Sequence, residues 1–155
     1  MKRNIKLFCM DVDGTLTDGK IYICAKGEIV KAFNVKDGYG ISTLLDENKI
    51  IPVIITGRIS KIVEKRAHEL GIFEVYQGVK NKVQILNKLQ KKYNCQCNEI
   101  AYMGDDIADL QAMKLCGFSG CPNDAVDSVK EISNFVSKRN GGEGAVREFI
   151  EWMIK

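Results

Sequence analysis

Short apolar runs rich in β-branched residues alternate with amphipathic stretches of helical length along almost all of the 155 residues. Runs of strand length occur at 5–10, 51–55, 73–76 and 100–103, and one or two more could lie at 117–120 and 135–136. Stretches of helical length occur at 38–48, 60–70, 80–93, 107–115 and 144–154. This alternation predicts an α/β fold, a Rossmann-like parallel sheet with helices on both faces.

A hairpin is expected to interrupt the alternation after the first predicted strand. Turn signals at Asp18-Gly19 and at 25–28 flank two short apolar runs, which predicts a β-hairpin flap over 17–34. The two apolar runs are 21–23 and 29–33. Because no linker or repeat is visible, we expect one domain over 1–155, whose last part, 139–155, is a tail and a helix.

The charge balance and the length of the apolar runs limit the partners of the chain. The 23 Lys and Arg residues against 20 Asp and Glu give a net charge of +3, which is too small to indicate nucleic-acid binding. The longest apolar runs, such as 50–55, are far shorter than the roughly 20 residues of a membrane helix. Asp11 cuts short the apolar stretch behind the basic start, so no secretory signal is expected. We expect a cytoplasmic protein without a nucleic-acid or membrane partner.

The six cysteines do not have the spacing of a metal site. None of them forms a C-x-x-C pair, and the single histidine, His68, lies in a predicted helix. Several lie inside apolar runs, where a free thiol packs as a small hydrophobic side chain. We therefore expect free thiols in a reducing compartment. Redox or metal chemistry at Cys95 and Cys97 is the alternative.

Polar side chains follow the predicted strands at the points where those strands end. The residues that follow the strands or open the next helix are Asp11, Asp13, Thr15, Thr56, Gly57, Arg58, Lys82, Asp105, Asp106 and Asp109. In an open parallel sheet, ligands bind at the edge where the carboxyl ends of the strands meet. We therefore expect these carboxylates, hydroxyls and the ammonium group to form one site.

Three of the carboxylates predict a cation site. Asp11, Asp13 and Asp105 would repel one another unless a cation lay between them, and hard oxygen ligands of this kind suit Mg²⁺. At a metal-bound phosphate, one carboxylate can act as the nucleophile, and a second carboxyl two residues away can protonate the leaving alkoxide and then activate water. Thr56, Lys82 and nearby backbone N–H groups would neutralise charge on the transferred group.

Four segments occur in an order that is specific when they are taken together: Asp11-Val12-Asp13-Gly14-Thr15, Thr56-Gly57, Lys82 and Gly104-Asp105-Asp106-Ile107-Ala108-Asp109. They resemble the four motifs of the haloacid dehalogenase superfamily of phosphohydrolases. The resemblance implies that Asp11 is the nucleophile and Asp13 the general acid and base. It also implies that Asp11, the Asp13 backbone carbonyl and Asp105 hold Mg²⁺. For Asp106 and Asp109, helix capping or bracing of the Asp105 loop is an equally good interpretation.

The spacing of these segments leaves no room for the separate cap domain that many members of the superfamily carry. The hairpin and one helix fill the interval between Asp13 and Thr56, and one helix and one strand fill that between Thr56 and Lys82. A site without a cap is open to water, so specificity for a small substrate needs a lid from elsewhere. A neighbouring subunit could supply it through the hairpin 17–34 or the segment 139–144.

Flanking residues narrow the resemblance. They are Thr17-Asp18-Gly19, Phe33-Asn34-Val35-Lys36-Asp37-Gly38, Ile55-Thr56-Gly57-Arg58, Gln77-Gly78 and Arg139-Asn140-Gly141-Gly142-Glu143-Gly144-Ala145-Val146-Arg147-Glu148. These segments look like those of the 3-deoxy-D-manno-octulosonate 8-phosphate phosphatase family. The resemblance implies a homotetramer that releases phosphate from a sugar-acid phosphate during lipopolysaccharide biosynthesis.

The implied substrate carries a carboxylate as well as a phosphate, and two arginines are candidates to bind it. Arg66 lies a little over two helical turns beyond Arg58, so both could face one side. A solvated basic face is an equally good interpretation of Arg66. A sister family hydrolyses nine-carbon sialic-acid-type 9-phosphates with Glu after its Thr-Gly pair, so Arg58 favours the eight-carbon sugar. The predicted substrate-binding set is Thr15, Asp18, Gly57, Arg58, Arg66 and Arg139.

Three other classes of protein remain open. A non-enzymatic, phospho-accepting signalling domain also uses acidic residues at strand ends with Mg²⁺, but it normally accepts phosphate on a strand in mid-sheet. A capless protein phosphatase would act on phosphoserine or phosphotyrosine, with an open site in a monomer. A catalytically silent subunit that binds a sugar-nucleotide synthetase would not need the full set of motifs.

Overall fold

The computed structural model describes residues 3–155, and its strands lie where the apolar runs predict them. Met1 and Lys2, the first residues of the basic start and of the predicted domain, lie outside the described residues. The strands are β1 (Leu7–Met10), β2 (Tyr22–Cys24), β3 (Gly27–Val30), β4 (Ile51–Ile55), β5 (Glu74–Tyr76), β6 (Ile100–Met103), β7 (Phe118–Cys121) and β8 (Phe135–Val136). The helices are α1 (Val35–Tyr39), α2 (Leu45–Glu47), α3 (Lys61–Glu69), α4 (Lys82–Tyr93), α5 (Leu110–Leu115), α6 (Asp127–Ile132) and α7 (Ala145–Met153). A π-helical turn, Gly40–Leu44, joins α1 to α2, and 3₁₀ turns occur at Cys97–Glu99 and Ile107–Asp109.

Six strands form one parallel sheet, and β2 and β3 form a separate antiparallel hairpin. The order in the sheet is β5-β4-β1-β6-β7-β8, and every neighbouring pair is parallel. The first strand lies at the centre, because Leu7 pairs with Ile51 on one side and with Ile100 on the other. Both of the shorter apolar runs contribute strands, β7 and β8. Since all six strands run the same way, their carboxyl ends share one edge.

Helices cover both faces of the sheet, which confirms the predicted fold class. Along β1, Phe8 and Met10 lie in the core of one face, and Leu7 and Cys9 lie in that of the other. The first face is covered by the α1–α2 segment, α3 and α7, and the second by α4, α5 and α6. Because both faces are covered, β1 is apolar at every position rather than at alternate ones.

Two helical segments differ from the sequence prediction. The helix predicted over 38–48 begins earlier, at Val35, because the Asn34 side chain accepts a 2.8 Å hydrogen bond from the N–H of Lys36 and caps the helix. Its middle is wound as a π turn rather than as a regular α-helix. Helix α6 has no counterpart among the predicted helices, since its six residues are too few to show a helical period.

The hairpin follows β1 as predicted, but its two strands cover only part of the range 17–34 predicted for the flap. Cys24 pairs with Gly27, which leaves a two-residue turn between β2 and β3. Gly27, which follows this turn, has a φ of 119°, a conformation that favours glycine. Because Cys24 pairs with Gly27, pairing begins before the apolar run 29–33. Within residues 3–155, the chain between β1 and α4 contains this hairpin, short helices and two strands, with no inserted cap domain.

Helix α7 closes the first face of the sheet with aromatic side chains. Phe149 is fully buried, and its ring lies 5.5 Å from that of Phe8 and 5.6 Å from that of Trp152. Gly120 in β7 makes room for this ring, because a Cβ atom there would lie 2.6 Å from Phe149. The packing fixes the last helix against the centre of the sheet.

A buried carboxylate joins α1 to α7. Asp37 accepts a 2.8 Å hydrogen bond from the backbone N–H of Arg147, and the residue is 1% exposed. Burial raises the pKa of Asp37 to about 6, because its charged form is poorly solvated there. The contact ties the start of α7 to the segment that follows the hairpin.

Three of the cysteines pack as small apolar side chains, whereas Cys24 is exposed and Cys97 and Cys116 are partly buried. All six are free thiols, and Cys9, Cys95 and Cys121 are buried in the core of the second face. Burial raises the pKa of the Cys9 thiol, so it stays protonated. Among the described residues, the helices are all too short or too polar to cross a bilayer.

Candidate active site

Three strands deliver polar side chains to the carboxyl edge of the sheet. Asp11 follows β1, Thr56 follows β4, and Asp105 follows β6 after one glycine. Backbone pairing continues past the strands, because the N–H of Asp11 donates to the Met103 carbonyl at 3.0 Å and that of Thr56 to the Tyr76 carbonyl at 2.9 Å. These bonds fix the backbone of Asp11 and Thr56 at the edge of the sheet.

A tight turn follows Asp11 and supports a second carboxylate. The Val12 carbonyl accepts hydrogen bonds from the N–H groups of residues 15–17. Gly14 has a φ of +92°, and a Cβ atom there would lie 2.0 Å from Asp105 Oδ2, so glycine is required. The hydroxyl of Thr15, predicted to bind substrate, donates a hydrogen bond to Asp105 Oδ1 at 3.0 Å. In the structure this side chain orients Asp105.

Three carboxylates and one ammonium group form the centre of the site. Oxygen atoms of Asp11, Asp105 and Asp109 lie within 4.8 Å of one another. Lys82 Nζ lies 3.0 Å from Asp11 Oδ1 and 2.7 Å from Asp109 Oδ1. The hydroxyl of Tyr102 also donates to Asp109 Oδ1, at 2.9 Å, and the N–H of Asp105 donates to the other oxygen at 3.1 Å. Both Asp109 oxygens are therefore engaged, which agrees with its interpretation as a brace for the Asp105 loop.

The electrostatics of this cluster favour a bound cation. Burial and the neighbouring Asp11 carboxylate raise the pKa of Asp105. Burial and the Asp109 carboxylate raise that of Asp11, against the opposing effect of Lys82. Burial alone would lower the pKa of Lys82, but its carboxylate partners raise it, so the ammonium stays charged. Three carboxylates against one ammonium leave an excess of negative charge, and the oxygen donors Asp11 and Asp105 fit Mg²⁺.

Asp13 lies beside the hairpin and pairs with two cations. Its carboxylate forms an ion pair with Lys31, whose side chain is 1% exposed. Lys31 Nζ also lies 2.7 Å from Glu28 Oε1, and Arg58 Nε lies 3.9 Å from Asp13 Oδ2. Sequence analysis did not identify Lys31. The one available signal is a lysine inside the otherwise apolar run Ile29-Val30-Lys31-Ala32-Phe33.

These residues surround one open cleft of about 200 Å³. Its lining includes Asp11, Asp13, Thr56, Arg58, Lys82 and Asp105. Gly57 also lines it, and Asp106 lies at the rim, where its side chain accepts a 2.7 Å hydrogen bond from the N–H of Ile107 and caps the following turn. The structure therefore brings together every residue predicted to be catalytic or to bind the metal.

Four residues of the predicted substrate-binding set do not line this cleft in the same chain: Thr15, described above, Asp18, Arg66 and Arg139. Asp18 accepts a hydrogen bond from the N–H of Lys20 in an exposed turn, and Arg139 lies 3.7 Å from Glu148. Arg66 lies over Phe33, with its guanidinium carbon 5.6 Å from the ring centre, and 3.4 Å from Glu69.

The helical spacing of Arg58 and Arg66 does not place them on one side. Helix α3 begins at Lys61, after its N-cap Ser60, so Arg58 precedes the helix and its direction is set by the loop. Arg66 packs instead where Gly38 leaves space, because a Cβ atom on that glycine would lie 2.6 Å from the guanidinium. In a single chain, Arg58 is the arginine that reaches the cleft.

The segment 139–144 packs against the turn that follows Asp11 in its own chain. The N–H of Gly142 donates to the Thr15 carbonyl at 3.2 Å. A Cβ atom on Gly141 would lie 1.9 Å from the Gly14 carbonyl oxygen, so close packing depends on the missing side chain. Within its own chain the segment supports the turn that follows Asp11, and the expectation that it reaches an adjoining site stays a prediction.

Comparisons with known proteins agree with the site. Residues 39–150 match a family model described as haloacid dehalogenase-like hydrolase. The 3-deoxy-D-manno-octulosonate 8-phosphate phosphatase KdsC of Yersinia pestis is 42% identical over 151 residues, which cover 97% of this chain and 80% of the relative. The protein of the same name from Salmonella typhi is 43% identical over the same shares of the two chains.

Solved structures of such proteins also superpose on this one. The Moraxella catarrhalis 3-deoxy-D-manno-octulosonate 8-phosphate phosphatase, crystallised with a magnesium ion, a phosphate ion and a KDO molecule, matches with a TM-score of 0.93 and 42% identity over 97% of this chain and 86% of that one. The cobalt-bound Haemophilus influenzae phosphatase matches with a TM-score of 0.93 and 38% identity over 97% and 88%. The resemblance seen in the sequence motifs is confirmed: the chain belongs to the haloacid dehalogenase-like hydrolases and, among them, to the family of 3-deoxy-D-manno-octulosonate 8-phosphate phosphatases.

Proposed function

We propose that this chain is a Mg²⁺-dependent phosphatase that hydrolyses 3-deoxy-D-manno-octulosonate 8-phosphate. The observation that carries the proposal is the meeting of Asp11, Lys82 and Asp105 in one cleft, in a chain 42% identical to a phosphatase named for that substrate. The Moraxella relative, crystallised with magnesium, phosphate and KDO, supports the cofactor and the class of substrate.

Asp11 is the nucleophile in this proposal. One of its oxygens attacks the phosphorus atom, the bond between phosphorus and the sugar oxygen breaks, and an aspartyl-phosphate forms. Asp13 gives a proton to the departing sugar oxygen, which leaves as an alcohol. Asp13 then takes a proton from water, the water oxygen attacks the acyl phosphate, and inorganic phosphate and the free Asp11 carboxylate are regenerated.

The surrounding groups stabilise charge and hold the nucleophile in place. Lys82, fixed between Asp11 and Asp109, orients the nucleophile and adds positive charge next to the transferred group. The hydroxyl of Thr56 lies at the same edge as a donor to phosphoryl oxygens. Mg²⁺ held by Asp11, Asp105 and the Asp13 carbonyl would neutralise negative charge between the nucleophile and the phosphoryl oxygens.

Arg58 is the proposed determinant for the sugar acid. Its side chain is about half exposed beside Asp13, on the open side of the cleft, where a guanidinium can pair with a carboxylate through two parallel hydrogen bonds. Thr15, Asp18, Gly57, Arg66 and Arg139 remain predictions from the sequence resemblance. For Asp18, Arg66 and Arg139, a role at the site would require a neighbouring subunit.

A phosphate-release screen tests the substrate. We expect purified protein with Mg²⁺ to prefer the eight-carbon octulosonate 8-phosphate over a nine-carbon sialic-acid-type 9-phosphate by roughly tenfold or more in kcat/KM, because one misplaced polar contact costs at least that much. Preference for the nine-carbon ester would support the alternative substrate. Release from phosphoserine or phosphotyrosine peptides, with none from either sugar, would indicate a protein phosphatase and contradict the proposal.

We further propose that the protein is a homotetramer in which the hairpin contacts neighbouring subunits. Ile23 and Ile29 on the two hairpin strands are 66% and 60% exposed. Val35, which follows the hairpin, is also exposed, as is Ile59, which precedes the Ser60 that bonds Glu28. Unpaired strand edges and clustered apolar side chains are typical of surfaces that associate. A hairpin covered in this way would supply the lid that the capless cleft lacks.

Light scattering tests this assembly. We expect the wild-type protein to have the mass of a tetramer, and the double variant Ile23→Asp, Ile29→Asp to dissociate, because two carboxylates would be buried without partners at the contact. Phe73→Asp is the matched control: Phe73 is 92% exposed but precedes β5, away from the hairpin. A wild-type monomer that hydrolyses the sugar phosphate at full rate would contradict the assembly and the lid.

We also propose that the reaction takes place in the cytoplasm as a step of lipopolysaccharide biosynthesis. The proposed substrate carries a carboxylate and a phosphate, and charged groups of this kind do not cross a lipid bilayer unaided. The ester must therefore be hydrolysed in the compartment where it is made.

A further inference from the structure

A buried lysine joins the hairpin to the proposed acid and base. Lys31 directly follows β3, and its ammonium forms ion pairs with Asp13 and, at 2.7 Å, with Glu28. Its side chain is 1% exposed, so it cannot contact a substrate in the cleft. A lysine is rarely buried to this extent unless its charge is paired. The position of this ammonium therefore depends on both carboxylates, and theirs depend on it.

The contacts continue from Lys31 into a third segment. Glu28 Oε2 accepts a 2.5 Å hydrogen bond from the hydroxyl of Ser60. Ser60 is the N-cap of α3, and its N–H donates to Gln77 Oε1 at 2.8 Å. We call Asp13, Lys31, Glu28 and Ser60 the Lys31 bridge. It connects the hairpin to the turn after β1 and to the loop after β4, and both of these segments line the cleft.

The bridge constrains the carboxyl group of Asp13. Lys31 contacts Oδ1, whereas Oδ2 faces Arg58 Nε, which lies 3.9 Å away at the cleft. A proton donor must come within about 2.6–3.2 Å of the oxygen it protonates. If rotation about the last side-chain bond of Asp13 were free, the oxygen that gives its proton to the leaving group would point to the cleft for only part of the time.

We propose that Lys31 is a positioning residue that holds one Asp13 oxygen toward the leaving group and makes this geometry dependent on the docked hairpin. The inference rests on the proposed phosphatase function. It adds a role for the hairpin within its own subunit, besides any cover that it provides to a neighbour. Lys31 acts through Asp13 and takes no part in bond making or breaking.

The dependence on the leaving group distinguishes positioning from general structural support. A sugar alkoxide is a poor leaving group and needs a proton as its bond to phosphorus breaks, whereas p-nitrophenolate leaves without one. Loss of Asp13 alignment therefore slows the first step for the sugar phosphate much more than for p-nitrophenyl phosphate. General damage to the site slows the first step for both esters alike.

The experiment measures leaving-group release in a single turnover, which reports the first step alone. Lys31→Met keeps most of the side-chain volume and removes the charge, and Lys31→Arg keeps the charge. Lys114→Met, at an exposed position of α5, is the control. We expect Lys31→Met to slow release of the sugar by about 10²-fold, the lower range for general acid catalysis, and release of p-nitrophenol by less than about tenfold. Lys31→Arg should recover most of the loss, and Lys114→Met should match the wild type.

A second variant keeps the test decisive if Lys31→Met unfolds. Lys31→Met combined with Glu28→Gln removes the carboxylate that would be left unpaired, and the same selective loss is expected. Equal slowing of both esters in these variants, or slowing of neither, would overturn the role of Lys31. Wild-type protein that hydrolyses p-nitrophenyl phosphate and some alkyl phosphates, but not the octulosonate ester, would overturn the proposed substrate alone. Those alkyl phosphates would then replace the octulosonate ester in the comparison with p-nitrophenyl phosphate.

Discussion

Replacement of Asp11 by Asn is expected to reduce Mg²⁺-dependent phosphate release to background, a loss of about 10⁴-fold or more. The amide lacks the charged oxygen that attacks phosphorus, so no aspartyl-phosphate forms. The fold should be retained, because Lys82 keeps its 2.7 Å contact with Asp109. Since burial and the Asp109 carboxylate raise the pKa of Asp11, removing this charge should leave the melting temperature in metal-free buffer unchanged or higher.

The measurement is phosphate release with circular dichroism melting of the same samples. Asp46→Asn, the same substitution at an exposed position of α2, is the control and should behave as the wild type. Substantial turnover by folded Asp11→Asn would exclude this side chain as the nucleophile, and with it the proposed two-step reaction.

Removal of divalent cations by a chelator is expected to abolish turnover, and added Mg²⁺ should restore it. The metal should also stabilise the fold, because it binds the native cluster and not the unfolded chain. At a Mg²⁺ concentration 100 times its Kd the gain is about 2.7 kcal/mol, which corresponds to roughly 5–10 °C in melting temperature for a chain of this size. Both the turnover rate and the melting temperature therefore report Mg²⁺ binding.

Asp105→Asn separates specific binding from a general salt effect. This variant loses one of the two carboxylates that are free to hold the cation, so Mg²⁺ should no longer raise its melting temperature. Glu131→Gln, at an exposed position of α6, should show the full increase. Full activity in chelator, or an equal increase in melting temperature for Asp105→Asn, would contradict the metal site.

The sequence was sufficient to predict the centre of the site for a simple geometric reason. Asp11, Thr56 and Asp105 each follow a buried parallel strand, and such strands end at one edge, so their proximity follows from the fold class alone. Lys82 could be placed in the same way, because it opens the helix behind β5. The sequence could not distinguish helix capping by Asp109 from bracing of the Asp105 loop, because both roles require the same short turn.

Residues outside the repeating strands and helices were harder to predict. Lys31 reaches Asp13 only because the hairpin folds back over the turn after β1, and no periodic pattern specifies that direction. The prediction that Arg58 and Arg66 face one side was wrong, because helical turns were counted from Arg58, which precedes the helix. The packing of Gly141 and Gly142 against the turn after β1 was not predicted, because it depends on the lack of a side chain at these positions.

The central place of β1 has a consequence for synthesis of the chain on the ribosome. The first strand to emerge has its partners in β4 and β6, so Leu7 waits for Ile51 and then for Ile100 before both of its edges are paired. Contacts between such distant segments form slowly. Until Met103 has left the exit tunnel, the nascent protein presents a wholly apolar strand with at least one unpaired edge. Catalytic competence therefore arises late in translation, when the strand that carries the nucleophile is enclosed.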